Sequence, residues 1–346
     1  MESTPARNSY HRLKGKLFLT GMLSRKITVR KLWNVLLCTL AYLLKTKRSA
    51  SSPFILSLEL WNECNAGCLF CRDKKGTIYN LNPENPTLGT ISKGKMPAEM
   101  AMDIIDQVKK DVLIAVLYTN GEPLLYKDLG KVIRFATERK VMTMISTNGL
   151  LFTEHNAREI LAAGLDFIKI QLGGFTQDIY SIQIRYGKVE KLKENIRMVA
   201  RIKKELNTPA LIMIDWITYN YNRHQIPLIR QFCQELGLLL SFRQGNPRGG
   251  LEGKETALPT TTLPISCDWL WKAMQVNFNG DMLQCCEGVV WSNLKPYATY
   301  KAGDRNVREI WNGPAAIATR ELMATKGRKS MPICSQCQRS GVAFKW

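Results

Sequence analysis

The chain has 346 residues, 45% of them apolar and 23% charged, enough for one large domain and a smaller one. Ten cysteines without an evident secretory signal exclude a small secreted disulfide scaffold and point to a reducing, cytoplasmic compartment. The formal net charge is +20, and half of that excess lies at the start, where residues 1–58 set eleven Lys and Arg against Glu2 alone.

The first apolar run, Leu32–Leu44, is thirteen residues long and contains Asn34 and Thr39. A membrane-spanning helix needs about 20. Arg30 and Lys31 precede the run, and Lys45, Lys47 and Arg48 follow it. Residues 1–50 therefore read as a basic amphipathic segment with two equal accounts. In one, a helix lies in the plane of an anionic membrane, each cation near the surface contributing roughly 1 kcal/mol. In the other, the helix docks on the main domain and its lysines are solvated. Nucleic acid ranks lower, because aromatic residues are sparse among the cations.

Ser49–Pro53 reads as a linker. From Phe54 to Arg243, within a main domain of residues 51–250, apolar runs alternate with amphipathic stretches. Strands are predicted at Phe54–Leu60, Val112–Tyr118, Val141–Ile145, Phe167–Leu172, Ala210–Ile217 and Leu238–Arg243. Helices are predicted after Pro97 and at Lys131–Arg139, Asn156–Ala163, Val189–Leu206 and Ile226–Leu236. Residues 72–95 read as a long loop. The alternation predicts an α/β fold, a partial (β/α)6 TIM-type barrel whose site lies at the strand C-termini. Residues 251–346 form a small C-terminal domain: a Thr/Pro/Gly-rich linker, a hairpin turning at Asn279-Gly280, and a helical piece over Val307–Met323.

Three residue groups carry the chemistry. Cys64, Cys68 and Cys71 form C-x3-C-x2-C in the loop after the first strand. Three thiolates fill three corners of a cubane iron–sulfur cluster and leave one iron open. A zinc ribbon is the alternative, but it closes its metal with four ligands, commonly as paired C-x2-C knuckles. The second strand ends in Asn120-Gly121-Glu122-Pro123, and the third in Thr147-Asn148-Gly149.

With these motifs in order at successive strand ends, Phe54–Arg243 resembles the radical S-adenosylmethionine (SAM) superfamily. The resemblance implies a [4Fe–4S] cluster on Cys64, Cys68 and Cys71. Its open iron would chelate SAM, whose reductive cleavage yields a 5′-deoxyadenosyl radical that abstracts a substrate hydrogen. It implies SAM contacts at Phe70 near the adenine and at Gly121, Glu122 and Pro123 near the methionine ammonium. Thr147 and Asn148 match the third strand end, Gln171 falls near the ribose, and Arg185 near the methionine carboxylate. Asn120 stands where relatives often have glycine, and Gly173 replaces a common aspartate.

The second cysteine set is Cys267, Cys285 or Cys286, Cys334 and Cys337, four ligands fitting zinc or a closed cubane. Its context resembles the SPASM/twitch extension of the same superfamily, in the short twitch form with one auxiliary [4Fe–4S] cluster. Cys285 is preferred, since x17 after Cys267 suits that form. A fully ligated cluster implies electron transfer and hence a net oxidation, such as dehydrogenation or crosslinking.

Cys38 and Cys233 read as buried thiols. His11 and His155 read as surface residues, and so does His224, although its place after a strand would let it reach the site. Phe242, Arg243, Gln244 and Asn246 follow the last strand and are candidate pocket residues. The expected partners are a reductant such as flavodoxin or ferredoxin, a membrane-associated or anionic substrate, and peripheral contact with the inner membrane face through residues 1–48. Two alternatives stand beside this reading: a non-catalytic iron–sulfur electron-transfer or assembly protein, and a peptide-modifying maturase.

Overall fold

In the computed structural model, which describes residues 15–72, 93–245, 251, 266–290, 294–301, 307–335 and 337, the alternation forms a partial barrel. Strands β1 (Ile55–Leu58), β2 (Ile114–Val116), β3 (Met142–Thr147), β4 (Phe167–Leu172), β5 (Leu211–Thr218) and β6 (Leu239–Gln244) lie side by side in chain order, all parallel. Both faces of such strands are covered, which is why they read as nearly continuous apolar runs. The outer layer is α3 (Ala98–Val108), α4 (Leu129–Glu138), α5 (Glu154–Ala162), α7 (Val189–Glu205) and α8 (Ile226–Leu236). A Thr153/Asn156 capping box starts α5, and Gly237 in the left-handed conformation ends α8. Among the helices around the barrel strands, α6 (Gln177–Gln183) escaped the periodicity reading, being only seven residues long. The predicted loop at 72–95 lies mostly outside the described residues.

The C-terminal region departs from expectation. Its first strand, β7 (Ala273–Val276), pairs in parallel with β1, and β8 (Asp281–Leu283) and β9 (Ala298–Thr299) follow antiparallel. The hairpin thus extends the barrel sheet and builds no separate one. The predicted helical piece is two helices, α9 (Val307–Trp311) and α10 (Pro314–Lys326), divided at Gly313-Pro314. The linker reading of Ser49–Pro53 is also corrected. Ser49 and Ser51 are buried, Trp311 Nε1 donates to Ser51 O at 2.9 Å, and Ser49 N donates to Asn312 Oδ1 at 3.1 Å.

Two helices, α1 (described over 15–23) and α2 (Val29–Leu43), close the bottom of the barrel. Leu17 and Cys38 pack in one core with Ile55, Ile114, Met142, Phe167 and Ala273, each the first residue of its strand. The docked account therefore holds for the inner side of this segment, and two of its cations are buried. Lys26 Nζ sits 2.6 Å from Asp166 Oδ2 and donates to Gly164 O at 2.7 Å. Removing one partner of such a pair costs about 3–5 kcal/mol, because the other charge is left buried. Lys31 donates to Lys140 O, and burial pulls its pKa down to about 8. Cys38 is a buried thiol beside Ser51, as expected, and Cys233 is buried as well.

Candidate active site

The cysteine loop leaves the C-terminal end of β1 and is fastened on three sides. Glu122 N donates to Glu63 O at 2.8 Å, Leu69 N to Gln183 O at 2.9 Å, and Tyr186 N to Ala66 O at 3.1 Å. Arg72, buried directly after the last cysteine, donates to Asn62 O at 2.6 Å and Asn120 O at 2.8 Å, closing the loop at its base. Burial pushes the Cys64 and Cys68 thiols up, and at Cys68 the charges of Cys71 and Cys64 add to it. The Cys64 and Cys68 sulfurs are therefore desolvated and lie close enough to Cys71 to feel its charge; bound iron would instead hold the loop cysteines as thiolates. The buried Tyr180 Oη makes no hydrogen bond and lies close enough to Cys68 and Cys64 to feel their charge. A buried hydroxyl without a partner near the Cys68 and Cys64 thiols fits a polar group such as a cluster. Among the described residues no three His, Cys, Asp or Glu side chains are grouped to hold a single metal ion. The assignment thus rests on the loop and the motifs around it.

Those motifs form one network. The Glu122 carboxylate is buried, with Oε1 accepting from Thr147 Oγ1 at 2.6 Å and Leu124 N at 3.0 Å, and Oε2 from Asn148 N at 2.8 Å. Burial lifts its pKa to about 7 despite these donors. The sequence suggested that this carboxylate meets an ammonium; in the structure it ties the second strand end to the third. Asn148 Nδ2 donates to Asn65 Oδ1 at 2.8 Å and reaches the Cys64 sulfur at 3.8 Å, so the third strand end in turn touches the cysteine loop. Gly121 is required by close approach, since a Cβ there would stand 1.9 Å from Trp61 O. Pro123 is buried and opens a short 3₁₀ turn.

Arg185 lies against the cysteine loop, donating from Nη1 to Arg72 O at 3.1 Å, while Cys68 and Ile184 form an antiparallel bridge. Phe70 packs beside Ile217 and Tyr219 of β5 and the turn after it. Gln171 is half-buried on β4, opposite Asp215 of β5. At Gly173 a Cβ would stand 1.9 Å from Gln183 Oε1, so a larger residue would have to displace the buried Gln183 side chain of α6. His155 and His224 are exposed. Gln244 and Asn246 have no described side chains, and His11 lies outside the described residues.

The structure adds residues not singled out from sequence. Asp215 is buried between Arg243 Nε at 3.1 Å and Lys169 Nζ at 3.5 Å, on β5, β6 and β4. Burial alone would raise its pKa, but the two cations outweigh burial and hold it below the ordinary carboxylate range. The available signal was a lone charge inside each of the strands FIKIQL and LIMIDWIT, where parallel sheets carry apolar side chains.

Glu59, just past β1, is buried, and its pKa is pushed up to about 7 by burial, against the Asn120 and Phe278 hydrogen bonds and Arg72. The folded protein keeps this proton up to about pH 7, whereas the ordinary value is 4.5. Folding binds the extra proton between those values, so this group removes stability as pH rises through them, with the full loss above. Glu59→Gln should therefore melt several degrees higher than the parent at pH 8, with a clearly smaller difference at pH 5. An equal shift at both would exclude the carboxylate as the cause.

In the C-terminal region Cys267 precedes the 3₁₀ turn Asp268–Trp271, Cys285 follows β8, and Cys334 lies in α11 (Pro332–Ser335). Burial comes first in raising the Cys285 thiol, and Cys286, Cys334 and Cys267 also act on it. Cys334 feels Cys267 and Cys337. Arg328 is buried, its Nε and Nη1 make no hydrogen bond, and its charge acts on both Cys267 and Cys334. A buried guanidinium close to Cys267 and Cys334 fits the negative charge of a thiolate-ligated cluster.

A parallel barrel with three cysteines after its first strand, and a second cysteine set on an extension of the same sheet, defines an iron–sulfur protein of the SAM-cleaving class. The model of the radical SAM superfamily matches residues 58–219, and that of an iron–sulfur cluster-binding domain, SPASM, matches residues 267–338. The chain belongs to the radical SAM superfamily and carries a C-terminal SPASM domain. Together these domains imply [4Fe–4S] clusters and SAM as cofactors. The chain is 26% identical over 193 residues to a probable GTP 3′,8-cyclase of Methanocaldococcus jannaschii, covering 54% of this chain and 57% of that protein. It is 25% identical over 185 residues to a PqqA peptide cyclase of Granulibacter bethesdensis, covering 54% and 45%. The chain thus spans about half the length of these curated relatives. Streptococcus suis SuiB bound to its precursor peptide SuiA shares the fold, with a TM-score of 0.63 at 15% identity over 86% of this chain and 74% of that one.

Proposed function

We propose that this chain is a radical SAM enzyme that performs a net oxidation of its substrate with the help of an auxiliary cluster. The observation that carries the reading is the buried Glu122 carboxylate, which joins Gly121-Glu122-Pro123 to Thr147 and Asn148, and through Asn148 to Cys64. An electron carrier would have no use for that network. When bound, the cluster and SAM supply a 5′-deoxyadenosyl radical able to take hydrogen from an unactivated C–H bond. The chain's own part is to hold Cys64, Cys68 and Cys71 on one fastened loop and to present Arg185 and Phe70 beside it. Cys267, Cys285, Cys334 and Cys337 would hold the auxiliary cluster, with Arg328 offsetting its charge. Flavodoxin or ferredoxin would supply the electron.

Lys169 and Arg243, two cations against the single carboxylate of Asp215 at the C-terminal half of the sheet, favour an anionic substrate. A peptide-modifying maturase is the second reading, supported by the likeness to a PqqA peptide cyclase and to SuiB with its precursor peptide. Peripheral membrane contact through residues 1–48 belongs to the proposal, supported by the basic charge of that segment; among the described residues no helix is long and apolar enough to cross a membrane.

The test is anaerobic reconstitution with iron and sulfide, reduction, and assay for 5′-deoxyadenosine from SAM. Its formation by the loaded protein is expected. A protein shown to carry both clusters that never forms it would be an electron-transfer protein instead.

A further inference from the structure

We propose that the outer face of α1 and α2 is a docking surface for an anionic lipid bilayer, and that docking turns the SAM site away from the membrane. This surface deepens the peripheral membrane contact proposed above and does not depend on the cluster chemistry. Helix α2 is built inside out: its buried positions are Lys31, Asn34, Cys38 and Ala41, while Leu32, Trp33, Leu36, Leu40 and Leu43 are exposed. Trp33 is 59% exposed and Leu43 64%. In α1, Phe18, Leu19, Met22 and Leu23 are exposed as well. Large exposed apolar side chains thus concentrate on two consecutive helices, which marks an interaction surface.

Charge decides the occupant. The segment has no acidic residue between Ser3 and Leu58, and Lys16, Arg25, Arg30, Lys47 and Arg48 are exposed along it. Arg30 pairs with Asp111 and Lys47 with Glu321, which leaves the surface basic in sum. A cleft of about 480 Å³ at the first turn of α2 is lined by Arg30, Lys109, Lys110, Arg139 and Lys140 against Glu138, with Asp106 pairing to Lys109 and Arg139, so that cations remain in excess. Residues 109–110 and 139–140 follow α3 and α4, so the cleft opens at the same barrel end as the apolar face. Apolar side chains rimmed by cations match acyl chains beneath anionic headgroups. A second copy would bring the same positive charge against itself.

The geometry has a consequence for the substrate. Helices α1 and α2 sit under the first residues of the strands, whereas the cysteine loop leaves β1 at its other end. A six-residue strand spans about 20 Å. A substrate buried in the bilayer would not reach the site, so docking favours one that arrives from the aqueous side.

The test is co-sedimentation of the full-length, cluster-loaded protein with vesicles of phosphatidylglycerol and phosphatidylcholine, or of phosphatidylcholine alone. The protein should bind the anionic vesicles more tightly and lose binding in high salt. Trp33→Glu combined with Leu36→Glu changes exposed positions only, and should weaken binding roughly a hundredfold, about tenfold per apolar side chain withdrawn. Thermal melting of the double variant checks its folding, and Leu36→Glu alone, expected to weaken binding about tenfold, provides a second measure. Parent protein that stays in the supernatant, or variants that bind as the parent does, would overturn the proposal. So would a parent dimer that the double variant splits, which would assign the face to a second copy.

Discussion

Glu122→Ala should lower formation of 5′-deoxyadenosine about 100-fold, while the protein still takes up iron at its loop cysteines. Three donors converge on this buried carboxylate, from Thr147, Leu124 and Asn148. Hydrogen bonds to a charged group contribute about 1.5–3 kcal/mol each, so removing the acceptor frees the second strand end from the third. Displacement of positioning groups by about 1 Å is enough for a 10²-fold loss. Glu122→Gln keeps one acceptor oxygen and turns an amide toward at least one remaining donor, so an intermediate loss is expected. The readout that separates positioning from simple unfolding is the electron paramagnetic resonance signal of the reduced cluster with and without SAM. In Glu122→Ala the cluster signal should persist and its response to SAM should weaken. A variant with full product yield would show that the network has no part in the reaction.

The second large effect concerns the C-terminal cysteines. Cys285→Ala should lose the auxiliary cluster and about half of the bound iron, since one of two cubanes loses a corner ligand. Cys286→Ala should keep its iron. The charges of both Cys334 and Cys267 act on Cys285, and Cys286 opens the next 3₁₀ turn, Cys286–Val290. Arg328→Gln provides a finer measure on the same set. Removing a buried positive charge disfavours the added electron, so the auxiliary midpoint should fall by tens of millivolts with the iron content unchanged. Iron and sulfide analysis together with potentiometry decide these outcomes, and a Cys286→Ala protein with half its iron would reverse the assignment.

The parallel architecture was legible because covered strands demand unbroken apolar runs, and Phe167–Leu172 and Ile226–Leu236 came out with the observed bounds. Helix α6 was not, because seven residues carry too little periodicity. The parallel pairing of β7 with β1 was illegible for a different reason. A hairpin signal specifies the partner across its own turn and says nothing about which sheet its outer edge will join. The linker reading of Ser49–Pro53 failed likewise: small polar residues look solvated until Trp311 and Asn312, some 260 positions away, bond to them.

Within the site, the three cysteines and the two strand-end motifs were local strings, readable because loops of fixed spacing carry them. Lys169, Asp215 and Arg243 belong to three different strands and become one group only through the sheet. By itself the sequence determined the parallel α/β class, the two cysteine sets and the basic start of the chain, since spacing, periodicity and charge are properties of neighbours in the chain. Only the tertiary structure decided that Glu122 faces Thr147 and Asn148 and that Lys26 and Lys31 turn inward. It alone left the apolar side of α2 outward, because burial depends on which distant surface packs against a face.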